Sequence, residues 1–170
     1  MAAILEIYLV RHAIAAERGP KYPDDRLRPL TPEGVKRFRE SVKGLNKFGV
    51  EIDQVLTSPL LRARDTATLL ASALKPKPPI EEVEALAPGG RPVAIVEAIK
   101  ASAKRHRRLA LVGHQPDLGE FTARLLGARG SVEFRKGAIC LIDIDSATPG
   151  GPGTLRWFLP PRALRAISDK

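Results

Sequence analysis

Arginine and histidine side chains that could bind and transfer a phosphoryl group lie in three separate stretches of this sequence. Arg11 and His12 follow the apolar stretch 4–10, whereas Arg62 and His114 come much later in the chain. Guanidinium groups bind phosphate oxygens through paired N–H donors. A neutral imidazole is one of the nucleophiles that form covalent intermediates. Together these residue types would make an anion site with a nucleophile, provided that the fold brings them together.

Short apolar runs predict the strands that would position these side chains. They lie at residues 4–10, 53–58, 80–83 and 109–112. Helical patterns cover residues 32–48, 59–74, 92–105 and 115–126. Thr31 before Pro32 is typical of a helix start. In the second helical pattern, apolar residues three and four positions apart form one face. These residues are Leu60, Ala63, Ala67, Leu70 and Leu74.

The order of these elements predicts the fold class. Strands that alternate with helices indicate a parallel sheet with helices on both faces. Two later runs, 138–144 and 155–159, are joined by a turn-rich link and predict an antiparallel pair. We therefore expect a three-layer α/β/α sandwich, with a mostly parallel central sheet and antiparallel strands near the C-terminus. Residues 1–170 should form a single domain, since this length suits one core.

In an open α/β sheet, ligands bind outside the carboxyl ends of the strands. Arg11, His12, Arg62 and His114 are therefore expected to converge there. A backbone carbonyl would hold one ring nitrogen of His12 as N–H, so that the other carries the lone pair. A protonated His114 and the free N–H groups of a helix opening at Gln115 would help the two arginines to stabilise an anion.

Each of these side chains, taken singly, also fits an ordinary surface arginine or a histidine at the end of a strand. Their joint placement after three strands is what favours a site. Asp, Glu and His residues nowhere show the spacing of metal ligands. We therefore expect neither a metal nor another cofactor.

The composition limits the classes of partner. The 170 residues carry 28 Lys and Arg against 19 Asp and Glu, a net charge of +9, which suits an acidic or phosphorylated partner. Aromatic residues make up 5% and are not interleaved with basic ones, so no specific nucleic-acid partner is expected. The basic run 104–108 is interpreted as the solvated end of the third helix.

The chain also shows no sign of export or of membrane insertion. No apolar run approaches the ~20 residues that span a bilayer. The N-terminus lacks a basic leader with a cleavage site. Cys140 is the single cysteine, so no internal disulfide can form. We expect a cytoplasmic protein, monomeric and without a membrane partner.

Three motifs resemble those of the histidine phosphatase superfamily. They are LVRHA (residues 9–13), SPLLRARDTA (58–67) and LVGHQPDL (111–118). Ala13 stands where the family usually has glycine. The resemblance implies that His12 is the nucleophile and that Arg11, Arg62 and His114 hold the phosphoryl oxygens.

The stretch RPLTPEG (28–34) is similar to a segment of the small phosphohistidine phosphatases of that superfamily. There the arginine faces the phosphate, and the matching residue here is Arg28. The alternative interpretation of Arg28 is a surface arginine that precedes a helix cap. The resemblance thus adds Arg28 as a candidate substrate-binding residue.

Mutases and general phosphatases of the superfamily place an acid near the stretch PIEEVEALAPGG (79–90), where it protonates an alcohol leaving group. Glu84 is close to that position, but Ala85 fits the register better. A site without this acid favours a phosphohistidine substrate, because imidazole leaves phosphorus more easily than an alkoxide. The expected function is hydrolysis of phosphohistidine on proteins such as histidine-containing phosphotransfer or signalling proteins.

Two alternatives remain open. The first is a phosphatase of small phosphate monoesters, which would use Glu84 or assistance from the substrate. The second is a noncatalytic phosphate- or phosphoprotein-binding module. The presence of His12 argues against the second, since binding alone does not need a nucleophile.

Overall fold

The computed structural model describes residues 3–170, and six strands in this part of the chain form one sheet. The strands are β1 (Ile4–Arg11), β2 (Gln54–Thr57), β3 (Ile80–Glu82), β4 (Arg108–Gly113), β5 (Ile139–Asp145) and β6 (Thr154–Leu159). The helices are α1 (Pro32–Lys47), α2 (Leu61–Ser72), α3 (Pro92–Ala103), α4 (Asp117–Leu125) and α5 (Pro161–Ser168). Single 3-10 turns lie at Asp25–Leu27 and Glu84–Leu86. None of the described helices is long and apolar enough to cross a membrane.

The sheet is mixed, and its order from edge to edge is β3–β2–β4–β1–β5–β6. β4 lies between β1 and β2 and pairs with both in parallel, and β2 pairs in parallel with β3. β5 runs antiparallel to β1, and β6 runs antiparallel to β5. The predicted three-layer sandwich, mostly parallel with antiparallel strands near the C-terminus, is confirmed.

Both faces of the sheet are covered, which explains why β1 is an almost continuous apolar run. Tyr8 and Val10 contribute to one core, together with α1, α2 and α5. Ile7 and Leu9 contribute to the other core, together with α3 and α4. Because side chains alternate along a strand, β1 is anchored from both sides, and the position of its last residue, Arg11, is fixed by both cores.

Helix α5 packs directly on α1, although the sequence patterns do not predict it. A Cβ at Gly44 of α1 would overlap the backbone carbonyl of Leu164, which is itself fully buried. Lys47 at the end of α1 donates a hydrogen bond to the carbonyl of Ser168 at 2.7 Å. With eight residues, α5 is too short for its apolar periodicity to distinguish it from a loop.

Two helices begin later than predicted. α2 begins at Leu61 rather than at residue 59, and α4 begins at Asp117 rather than at Gln115. The N–H of Leu118 donates to the carbonyl of His114 at 2.8 Å. The predicted helix opening at Gln115 is therefore shifted by two residues, to Asp117.

The basic run 104–108 also differs from its prediction. α3 ends at Ala103, and Arg108 is already the first residue of β4. The guanidinium of Arg108 donates to the carboxylates of both Asp53 and Glu51. Part of the run is thus an ion-pair cluster at the amino end of β4, because the strand brings Arg108 beside the acids that precede β2.

The close contact between α1 and α5 predicts that Gly44→Ala destabilises the protein. The added methyl group would push α5 away from α1, which should cost about 1–3 kcal/mol of the free energy of unfolding. Urea denaturation followed by circular dichroism measures this change. Gly19→Ala is the matched control, because nothing lies within 4 Å of a Cβ at Gly19. Equal denaturation midpoints for the two variants would contradict the packing described here.

Candidate active site

His12 follows β1 at the carboxyl edge of the sheet and is buried, with 6% of its surface exposed. Its Nδ1 lies 2.7 Å from the carbonyl oxygen of Ala13. A carbonyl oxygen can only accept a hydrogen bond, so Nδ1 bears the proton and donates it. The lone pair is then left on Nε2. The predicted backbone anchor for one ring nitrogen of His12 is therefore present.

Thr66 ties the loop after β1 to helix α2. The N–H of Ala13 donates to Thr66 Oγ1 at 3.0 Å. The Thr66 hydroxyl in turn donates to the carbonyl of Arg62 at 2.7 Å. Both hydrogen bonds are buried, so they fix the loop that bears His12 relative to the helix that bears Arg62.

His114 follows β4 and lies beside His12, with their ring centroids 5.1 Å apart. Its Nε2 is 2.7 Å from the hydroxyl oxygen of Ser58, which follows β2. The N–H of Leu60 donates to the same hydroxyl oxygen at 3.2 Å. Parallel pairing of β1, β4 and β2 thus brings polar residues from three strand ends together, as the sequence predicts.

Arg62 and Arg28 are both buried and share one carboxylate, that of Asp25. The guanidinium of Arg62 donates to the Asp25 carbonyl at 2.8 Å and to its Oδ2 at 3.0 Å. The Nε of Arg28 donates to Asp25 Oδ1 at 2.7 Å, and another of its nitrogens donates to the Ala16 carbonyl at 2.6 Å. Arg28 is therefore not a surface arginine, because Asp25 links it to Arg62.

Asp25 is a component of the site that the motifs do not reveal. Partial burial raises the pKa of this carboxyl, but hydrogen bonds and charge from Arg28 and Arg62 outweigh that effect and lower it overall. Asp25 is therefore ionised at neutral pH and compensates part of the positive charge. Its signal in the sequence is an acid among arginines in the stretch DDRLRPL (24–30), which local patterns alone do not distinguish from a polar loop.

Arg11 is half-buried at the end of β1. One of its terminal nitrogens donates to the carbonyl of Phe134 at 2.6 Å. This bond holds the guanidinium against the segment that precedes β5. Its charge is close enough to contribute to the lowered pKa values of His12 and His114.

Three buried nitrogens around this edge of the sheet have no hydrogen-bond partner. They are Arg11 Nε, Arg62 Nε and His114 Nδ1. Buried polar groups are almost always paired, and an unpaired one costs free energy. The two guanidinium Nε–H groups can only donate, so an anion with several acceptor oxygens suits them. Within residues 3–170, no group of three or more His, Cys, Asp or Glu side chains could hold a metal ion.

Both histidines are neutral at neutral pH. Burial, followed by the charges of Arg62 and Arg11, lowers the pKa of His12 to about 3 even though the bond to Ala13 favours its charged form. Burial, followed by its neighbour His12 and by Arg62, lowers the pKa of His114 to about 3. The expectation of a protonated His114 does not hold for the free protein, because burial disfavours the charged ring and the nearby Arg62 adds to this effect.

The carboxylate of Glu84 lies at the surface in an ion pair with Arg26. It is 74% exposed and lies 3.3 Å from the guanidinium of Arg26. The adjacent Ala85 instead lines a small pocket together with His114 and Leu86. Of these two neighbouring residues, Ala85 rather than Glu84 is therefore the one that lies beside His114.

Comparison with known proteins agrees with this fold. The family model of the histidine phosphatase superfamily (branch 1) matches residues 7–87. An uncharacterized protein from Picosynechococcus sp. is 44% identical over 119 residues, which cover 69% of this chain and 70% of that protein. The chain belongs to the histidine phosphatase superfamily. Membership supports phosphatase activity.

Within the superfamily, the chain is similar to phosphohistidine phosphatase SixA. The SixA protein of Escherichia coli K12 is 28% identical over 163 residues, which cover 95% of this chain and 97% of SixA. The structure of the protein histidine phosphatase SixA complexed with tungstate superimposes with a TM-score of 0.83 at 27% identity, covering 94% of this chain and 99% of the other. Phosphoglycerate mutase from Bacillus anthracis shares the fold, with a TM-score of 0.72 at 14% identity over 99% of this chain and 98% of its own.

The lowered pKa values predict how the histidines titrate. An unfolded histidine has a pKa of about 6.5, so below that pH the unfolded chain binds more protons than the folded one. The free energy of unfolding should then fall as the pH drops from about 6.5 towards 3, by up to about 1.4 kcal/mol per pH unit for each ring. In NMR titrations, the ring signals of His12 and His114 should keep the chemical shifts of the neutral form well below pH ~6.5. Titration of either ring near its unfolded value would contradict the burial described here, and His114→Asn should remove that ring's share of the stability change.

Proposed function

We propose that this protein hydrolyses phosphohistidine on other proteins through a phosphorylated His12. The observation that carries the proposal is the neutral His12 ring, whose Nε2 lone pair is left free by the bond from Nδ1 to Ala13. Arg11 and Arg62 each have a buried Nε–H group without a partner nearby. A nucleophile beside unpaired cationic donors is the arrangement that phosphoryl transfer requires.

In the first step, Nε2 of His12 attacks phosphorus in line with the bond to the leaving group. The new P–N bond to His12 forms while the P–N bond of the substrate phosphohistidine breaks. The electron pair of that bond stays on the departing imidazole nitrogen, which takes a proton from solvent. Arg11, Arg62 and His114 bind the phosphoryl oxygens, and Arg28 supports them through Asp25.

In the second step, water attacks the phosphorus of phospho-His12. The P–N bond to His12 breaks and returns its electron pair to Nε2. The attacking water loses one proton to solvent, and inorganic phosphate leaves. The carbonyl of Ala13 holds the same tautomer of His12 throughout, so the ring returns ready for another cycle.

The placement of carboxylates supports phosphohistidine over an alcohol ester. Glu84 is paired with Arg26 at the surface, and Ala85 is the residue beside His114. Asp25 is ionised and bonded to two arginines, so it has no proton to donate. A general acid typically contributes ~10²–10⁴-fold where a poor leaving group needs protonation. Imidazole needs this help least, since its nitrogen is readily protonated by solvent.

The proposal includes a phosphorylated protein as substrate, such as a histidine-containing phosphotransfer or signalling protein. The similarity to phosphohistidine phosphatase SixA over almost the entire chain supports it. We further propose that residues 1–170 act as one monomeric, cytoplasmic phosphatase domain without a metal or other cofactor. One six-stranded sheet, with both faces covered by helices, supports the single domain.

Turnover with two classes of substrate tests the proposed function. The substrates are a phosphotransfer domain phosphorylated on histidine and a panel of phosphate monoesters, both in buffer containing a chelator. We expect a higher kcat/KM for the phosphohistidine domain. Glu84→Gln should leave this value within about twofold, because the carboxyl contributes no proton to the reaction. Glu82→Gln is the matched control, since Glu82 forms a similar surface ion pair with Arg64.

Three results would contradict the proposal. A large loss of phosphohistidine turnover in Glu84→Gln, but not in the control, would make Glu84 a general acid. A higher kcat/KM for a monoester would favour a small-molecule phosphatase. Binding of the phosphorylated domain without any release of phosphate would indicate a binding module.

A further inference from the structure

A basic cleft lies next to the candidate active site, and most of its lining residues take no part in the reaction. It has a volume of about 750 Å³ and lies between α1, α5 and the segment 133–137 before β5. Arg11 and Ala13, the neighbours of His12 in the sequence, are among its lining residues. A chain bound in this cleft would therefore lie close to the nucleophile.

The cleft is strongly positive. Its cationic lining residues are Arg11, Arg37, Arg135, Lys136, Arg162 and Arg165. Among the described residues that line it, Glu133 is the one acid. Arg37 is paired with Glu33 at 2.5 Å. Four further cations take no part in the reaction: Arg135 and Lys136 on segment 133–137, and Arg162 and Arg165 on α5. Within residues 3–170, no carboxylate lies within ion-pair distance of these four side chains.

These cations differ from an ordinary solvated charge run, which lies along one element. Arg135 and Lys136 belong to the segment before β5, whereas Arg162 and Arg165 belong to α5. The contact between α5 and α1 at Gly44 fixes the second wall. The fold thus places unpaired cations on two walls of one concave surface, where an extended anionic chain could contact both.

The lining of the cleft favours an acidic polypeptide over a nucleic acid. Proteins that bind single-stranded nucleic acids combine positive grooves with exposed aromatic side chains that stack on bases. The two aromatic residues that line this cleft, Phe38 and Phe134, are both buried, at 2% and 0% exposure. Clusters of arginine without such platforms are typical of sites that recognise acidic or phosphorylated peptide motifs.

We propose that this cleft binds an acidic segment that flanks the phosphohistidine of the protein substrate. The inference rests on the proposed function. It adds that the protein would discriminate among phosphorylated proteins by the charge of the segment that flanks the phosphohistidine. Charge attraction would speed the encounter and align the substrate with His12, so it would act on kcat/KM more than on the chemical step.

Two phosphohistidine peptides of equal length, one with acidic and one with neutral flanks, test the proposal. Wild-type protein should show about a tenfold higher kcat/KM for the acidic peptide at low salt, and added salt should reduce this preference. The double variant Arg135→Glu, Arg162→Glu should abolish the preference while turnover of the neutral peptide persists. Lys104→Glu, Arg105→Glu is the matched control, because these two exposed cations precede the opposite, amino end of β4.

Fluorescence anisotropy of an unphosphorylated acidic peptide gives a readout that is independent of turnover. Binding that is lost in the cleft variant and kept in the control supports docking, even if neither phosphopeptide is hydrolysed and the proposed function fails. Equal effects in both double variants, or no discrimination between flanks by wild-type protein, would overturn the proposal. The proposal would also be overturned, in favour of a nucleic-acid groove, if a single-stranded RNA bound more tightly than the acidic peptide and this binding depended on Arg135 and Arg162.

Discussion

At the carboxyl edge of the sheet, carboxylates compensate only part of the positive charge. The site depends on this constraint. One carboxylate, Asp25, binds the two buried guanidinium groups of Arg28 and Arg62. Burial, together with the remaining charge, lowers the pKa of His12 and keeps its ring neutral. The same condition that favours a bound anion thus also maintains the nucleophile in its reactive form.

The sequence predicts those features that local patterns and strand direction determine. The predicted apolar stripe from Leu60 to Leu74, most of which lies on α2, is buried as expected, and Thr31 caps α1 by accepting from Gly34 N–H. The grouping of His12 with His114 follows from parallel strands, whose carboxyl ends meet at one edge. These predictions hold because each depends on periodicity or topology rather than on a particular side-chain contact.

Features that depend on tertiary contacts are not visible in the sequence. Asp25 gains its role only when Arg28 and Arg62 approach it from different elements. The neutral state of His114 depends on burial and on neighbouring cations, so a motif that identifies the residue does not give its charge. Helix α5 is too short for a periodic signal, yet its contact with α1 forms a wall of the basic cleft. Residue type and spacing therefore identify the candidate site residues. The charge states of these residues and the shape of the cleft beside them follow only from the three-dimensional structure.

Capture of the phosphorylated protein in a rapid-quench reaction tests the central claim most directly. The account predicts that labelled phosphate from a phosphohistidine substrate appears transiently on one acid-labile, base-stable site, which peptide mapping assigns to His12. His12→Ala should keep the native circular dichroism spectrum and incorporate no label. Label on any other residue, or steady turnover by a folded His12→Ala variant, would contradict the account.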